Sequence, residues 1–150
     1  MSSHTGERYM RALTSRSVVG SALLALMACT DGSFAPTVET VAGTYAADVF
    51  TLTSSAGTSD LLASGAEVSA VLKSDGTTTG RLFVPGGGEN GENLDEDLAG
   101  TWSLLNGKVT FDQAADTFIR DAAFIATRDR LTTDGTFGEE TILLVLTKAN

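Results

Sequence analysis

Side chains able to act as nucleophiles or to bind soft metals are few, and they sit at one end of the chain. The 150 residues include one cysteine, Cys29, and one histidine, His4, so residues 30–150 contain neither. That stretch has no means of building Cys–His or Ser–His nucleophilic systems or the usual zinc and copper sites. Paired carboxylates or a serine–lysine arrangement remain. The lysines are Lys73, Lys108 and Lys148, and the last two alternate with apolar residues in a way that turns them away from a core. No serine stands in a Gly-x-Ser-x-Gly setting. The inventory predicts a protein that is not an enzyme, with no catalytic residue, no cofactor and no metal.

Carboxylates are the one abundant reactive type. Glu89, Glu92, Asp95, Glu96 and Asp97 fall in the longest polar stretch, residues 86–97, and carboxylate oxygens suit calcium. Their spacing matches neither an EF-hand loop nor the Gly–Asp repeats of calcium-binding solenoids, so they read as a solvated acidic loop. Gly86-Gly87-Gly88 leads into those acids, which would repel a phosphate. Arg120, Arg128 and Arg130 cluster in the last third. Either they are surface charges, or one points into a cavity and holds a ligand carboxylate.

Residues 18–28 are almost wholly apolar, Arg11 and Arg16 precede them, and Leu26-Met27-Ala28-Cys29 closes the run. As helix, this run spans roughly 16 Å at ~1.5 Å per residue, about half of a ~30 Å hydrocarbon core. It therefore predicts a secretory signal and not a retained span. The closing tetrapeptide resembles the lipobox of bacterial lipoproteins, whose cysteine is acylated and becomes the first mature residue. That resemblance implies a signal peptide over residues 1–28, lipid attachment at Cys29, anchorage by acyl chains and a place in the cell envelope. Ordinary cleavage after Ala28 without a lipid is the rival. Thr30, in place of aspartate, resembles lipoproteins sorted to an outer membrane. Met10-Arg11 opens a more compact signal than Met1 does, which predicts translation from Met10.

The chain carries a net charge of −9. Removing the leader takes three basic residues and one acidic one, leaving seven basic against eighteen acidic, a net of −11. Such a field repels phosphate backbones and predicts no nucleic-acid partner. It also disfavours bare anionic headgroups, leaving the acyl chains as the membrane attachment.

Residues 29–39 read as a tether and residues 40–150 as one domain of strands. Short runs rich in Val, Phe, Ile, Leu and Thr recur between turn signals, and no window holds helical periodicity for three turns. The first strand is expected over 41–53, with a bulge near Asp48 to reconcile Val41, Tyr45 and Val49 with Phe50 and Leu52. Ser59 could cap a single helical turn ending at Gly65, with Leu61 and Leu62 set against something such as a barrel mouth. Strands follow at 67–74 and 78–84 around Asp75-Gly76, then at 98–105 and 108–113 around Asn106-Gly107. Residues 117–127, 131–137 and 141–148 complete the set, with turns at Arg128-Asp129 and Gly138-Glu139-Glu140. One further strand in the ambiguous stretches would make eight.

Eight consecutive strands joined mostly by tight turns predict an all-β fold, an antiparallel up-and-down barrel whose closure removes both edges. A two-layer β-sandwich is the alternative. Val41-Ala42-Gly43-Thr44-Tyr45 and Leu98-Ala99-Gly100-Thr101-Trp102 are near copies. Both resemble the Gly-x-Trp opening of small lipocalin-like domains in secreted bacterial lipoproteins, which implies a lipocalin-like barrel. Tyr45 and Trp102 are then expected at the barrel base or in contact with a ligand. Two functions compete. The first is a membrane-anchored binding module for a small apolar ligand. The second is an envelope structural or protein-interaction lipoprotein whose barrel is filled.

Overall fold

A capped turn of helix is the first element among the described residues. The computed structural model describes residues 33–150, so the readings of the leader, the Met10 start and Cys29 fall outside the described residues. Thr37 and Thr40 form a reciprocal capping box, each side chain accepting from the other's backbone N–H, which starts α1 at Val38–Val41. Val41 is thus the buried end of a helical turn, not the start of a strand as expected.

The strands follow as β1 (Gly43–Ser54), β2 (Gly57–Asp60), β3 (Glu67–Leu72), β4 (Thr77–Val84), β5 (Leu94–Asp97), β6 (Gly100–Leu105), β7 (Lys108–Gln113), β8 (Ala123–Ala126), β9 (Arg130–Phe137) and β10 (Glu140–Lys148). A second helical turn, α2 (Phe118–Asp121), precedes β8. Each strand pairs antiparallel with its neighbours, and β10 pairs with β1 from Tyr45↔Lys148 to Thr53↔Thr141. The result is a closed eight-stranded up-and-down barrel of lipocalin-like form, which sets aside the sandwich. β5 and β6 together make one of its walls. Leu98 N–H bridges them by donating to the Gly80 carbonyl at 3.0 Å. β2 lies outside this count, paired to the second half of β1.

The β1 register slips between Ala47 and Val49, where the bulge was expected. Before it Tyr45 points inward, and after it Phe50 does, so one extra residue switches the inward set. Asn106 and Gly107 carry positive φ (52° and 76°) in the two-residue β6–β7 turn, the twist that matches a hairpin. A Cβ on Gly100 would collide with the Asp112 carbonyl oxygen. Glycine is what lets β6 and β7 close up there.

Four further expectations need correction. Residues 94–97 were expected in a loop but form β5, because β4 supplies a partner edge. Phe118 and Ile119 lie in α2, so the strand expected from 117 begins only at Ala123. Leu98 and Ala99 were expected within one strand, yet they separate β5 from β6. At the Leu61–Gly65 turn the capping side chain is Asp60, not Ser59: its Oδ1 accepts from Ala63 N–H at 3.1 Å. That turn closes with Ser64 N–H to the Leu61 carbonyl and Gly65 N–H to that of Leu62.

Inward positions are filled by side chains including Tyr45, Phe50, Leu82, Trp102, Phe124 and Leu144, all buried. Phe111 and Phe124 meet edge to face at 5.4 Å, the arrangement the ring quadrupoles favour. The pairing registers give the barrel a near end and a far end. At the near end are α1, the turns at 73–76, 106–107 and 127–129, and the C-terminus. The far end holds the Leu61–Gly65 turn, residues 85–93, α2 and the β9–β10 turn.

Candidate functional site

Both aromatic residues singled out by the near-copied Gly-Thr motif stand at the near end. The Tyr45 hydroxyl donates to the Val41 carbonyl at 2.6 Å, tying β1 to the end of α1. Trp102 Nε1–H donates to the Lys73 carbonyl at 2.8 Å, pinning β6 to the β3–β4 turn. Burial raises the Tyr45 phenol to about 12, and the Asp129 carboxylate adds to the effect. Each ring therefore presents its body to the core and satisfies its polar atom on backbone.

At the far end α2 lies across the barrel. Ile119 is buried, while the half-buried Phe118 ring sits between Phe50 (5.8 Å) and Phe137 (5.6 Å). Leu61 and Leu62, in the far-end turn, also pack against the core.

A broad surface cleft arises where the wall splays. β6 and β7 pair up to Gly100↔Gln113, but upstream β5 follows β4 while the chain after Gln113 turns away. The Gln113 side-chain amide spans the seam, donating to the Leu98 carbonyl at 3.1 Å. Beyond it lies an open cleft of about 660 Å³ lined by Arg81, Asp95, Glu96, Asp97, Ala114 and Ala115. Arg81 is held there by Asp95 through two bonds, Nε–H to Oδ1 at 2.7 Å and Nη2–H to Oδ2 at 2.8 Å. The guanidinium holds the Asp95 carboxyl below the usual carboxylate range. Glu67 stands 3.7 Å away on the same face. On the other side of Arg81, a recess of about 300 Å³ lies against Ala46, Ala47, Leu62, Ala66 and Val68.

Of the arginines expected to hold a ligand or to lie on the surface, Arg120 is engaged by Asp121 and Asp116. Arg128 lies over the Phe34 ring at 5.6 Å, and Arg130 is exposed. The acidic residues expected to lie together in a loop are divided. Glu89 stands in a 3-10 turn, Glu92 caps it, and Asp95–Asp97 stand in β5. Among the described residues no three carboxylates, cysteines or histidines converge as a metal site would require. No helix among them is long and apolar enough to cross a membrane.

Charge is segregated along the barrel axis, which total charge cannot reveal. Lys73, Lys108, Arg128, Arg130 and Lys148 all belong to near-end turns and strand termini, against Glu39, Asp75 and Asp129. Among described residues every other side-chain carboxylate lies mid-barrel or at the far end, with only Arg81 and Arg120 among them. Sequence reading passed over Arg81, though it is the one basic residue between Lys73 and Lys108. Its partner lies fourteen positions downstream. No family model, curated protein or solved structure matches the chain.

Proposed function

We propose that this is a non-enzymatic, acyl-anchored envelope lipoprotein that works by contact through its outer surface and rims. The observation that carries the reading is the filled barrel. Inward positions hold large side chains, α1 with Tyr45 and Trp102 occupies one end, and α2 with Phe118 and Ile119 occupies the other. Small barrels either fill with side chains or hold one ligand; packing of this kind favours the former. The anchor part of the reading rests on the lipobox-like run ending at Cys29.

Titration of the lipid-free protein with fatty acids, followed through Trp102 fluorescence, is expected to give a flat response. A saturable shift at equimolar ligand overturns the filled-barrel reading in favour of an apolar-ligand carrier. Intact mass of the protein from its native host is expected to show acyl chains on Cys29, and Cys29→Ser is expected to release the protein from membranes. An unmodified thiol refutes the anchor.

A further inference from the structure

We propose that the near end of the barrel is a docking surface for an anionic lipid bilayer, so that the protein sits on the membrane upright, acidic end outward. Three observations converge on that end. First, it carries the large exposed apolar side chains: Leu105 (72 % exposed), Ile125 (58 %) and Val38 (36 %). Leu105 and Ile125 each lie opposite Lys108 in the ladder, so the three share the outer face. A cation between two exposed apolar groups suits a headgroup boundary, where ammonium and guanidinium groups reach phosphate while aliphatic groups enter the acyl layer.

Second, the charge is complementary in sign only there. Lys73, Lys108, Arg128 and Arg130 are exposed. Lys148 is committed to the Thr40 carbonyl at 2.9 Å. Of the opposing carboxylates, Asp75 accepts from the Thr77 hydroxyl and backbone N–H, Asp129 faces Tyr45, and Glu39 lies on α1. The surplus of cations at this end contrasts with the excess of carboxylates over Arg81 and Arg120 elsewhere. A negative surface therefore attracts one end and repels the other, giving orientation as well as affinity.

Third, the described chain begins at this end: Phe34 lies under Arg128, and Pro36 lies beside Gly107. Cys29 precedes Ser33 by four residues, a covalent reach of at most about 14 Å. This part of the argument rests on the acyl-anchor reading. An anchor so close brings the near end to the bilayer at high effective concentration.

The test uses the acylated protein in vesicles of phosphatidylcholine with 30 % phosphatidylglycerol. A polarity-sensitive fluorophore is placed at Leu105→Cys or, as the far-end control, at Glu139→Cys. The label at 105 is expected to shift to the blue and lose acrylamide quenching several-fold, while the label at 139 does not change. The shift is expected to disappear in pure phosphatidylcholine, and with Lys108→Glu/Arg128→Glu/Arg130→Glu. Equal exposure of both labels overturns the proposal. So does a shift at 105 that needs no vesicles and grows with protein concentration, which would make the face an interface between copies. Should Cys29 prove unmodified, the Cys29→Ser full chain is partitioned onto the same vesicles. A loss of about a hundredfold or more on the triple charge reversal, from about fivefold per basic residue, supports the face without the anchor. Equal partitioning of the two chains rejects it.

Discussion

Replacing Tyr45 by phenylalanine tests the closure of the near end with a signature that packing alone does not produce. The ring is 1 % exposed and its hydroxyl donates to the Val41 carbonyl. Losing that bond costs about 1 kcal/mol wherever the phenol is neutral. The wild type, however, carries a penalty that the variant lacks. Its phenol is raised to about 12, against about 10 in an unfolded chain. The folded state thus holds the proton to higher pH than the unfolded state does. The associated stability is fully present below pH 10 and is lost as pH climbs toward 12. At about 1.4 kcal/mol per pH unit, wild type gives up roughly 1.4 kcal/mol by pH ~11 and about 2.3 by pH ~12. Phenylalanine does not titrate. Every other group is common to the two proteins and cancels in the difference. The two stability curves are therefore expected to cross near pH ~11, with wild type ahead below and the variant ahead above. Urea unfolding followed by circular dichroism at several pH values between 9 and 12 measures this directly. A difference that stays constant across the range refutes the buried, bonded phenol.

Other consequences can be checked in the same unfolding assay or by NMR. Gly100→Ala places a Cβ against the Asp112 carbonyl oxygen and is expected to cost about 1–3 kcal/mol; an unchanged urea midpoint would contradict the close approach of β6 and β7. Thr37→Ala removes one half of the capping box and should lower stability by about 1 kcal/mol, with exchange of α1 amides accelerated before that of the barrel. Phe118→Ala is expected to cost about 2–3 kcal/mol, less than the ~3–5 of a fully buried ring, because Phe118 is only half covered; an effect near zero would mean that α2 does not close the far end. Arg81→Ala should return the Asp95 titration, now below the ordinary range, toward ~3.9. Asp95 favours the fold at neutral pH and ceases to as acid protonates it, but both groups are exposed, so the overall stability change is expected to be small.

What could be read in the residues was mostly local. Asn106-Gly107 fixes a hairpin turn by its own dihedral preferences, and the slip at Asp48 is written in the switch from Tyr45 to Phe50 as inward residues. Arg128-Asp129 and Gly138-Glu139 likewise break the chain where β8–β9 and β9–β10 turn. The failures were non-local. Leu94-Asp95-Glu96-Asp97 looks like a solvated loop because nothing within it favours a strand; β4 supplies the pairing edge and Arg81 the countercharge. Phe118-Ile119 has the composition of a strand, yet the chain uses it as a helical turn over the barrel end. The seam cleft was illegible for the same reason, since it exists only where two paired walls diverge. Segregation of charge was hidden as well, because composition sums over positions that topology separates.

The pairing of β1 with β10 joins segments nearly a hundred positions apart, and it governs when the molecule can assemble. The β6–β7 hairpin needs only its own fourteen residues, but the ring lacks its last stave until residue 141 and beyond are available. Loop-closure entropy defers such a contact, so the closing pair forms more slowly than the local hairpins that make up the rest of the ring. Until β10 is in place, β1 and β9 each keep an open edge, and the ring gains its closed character only when that one strand fills the gap.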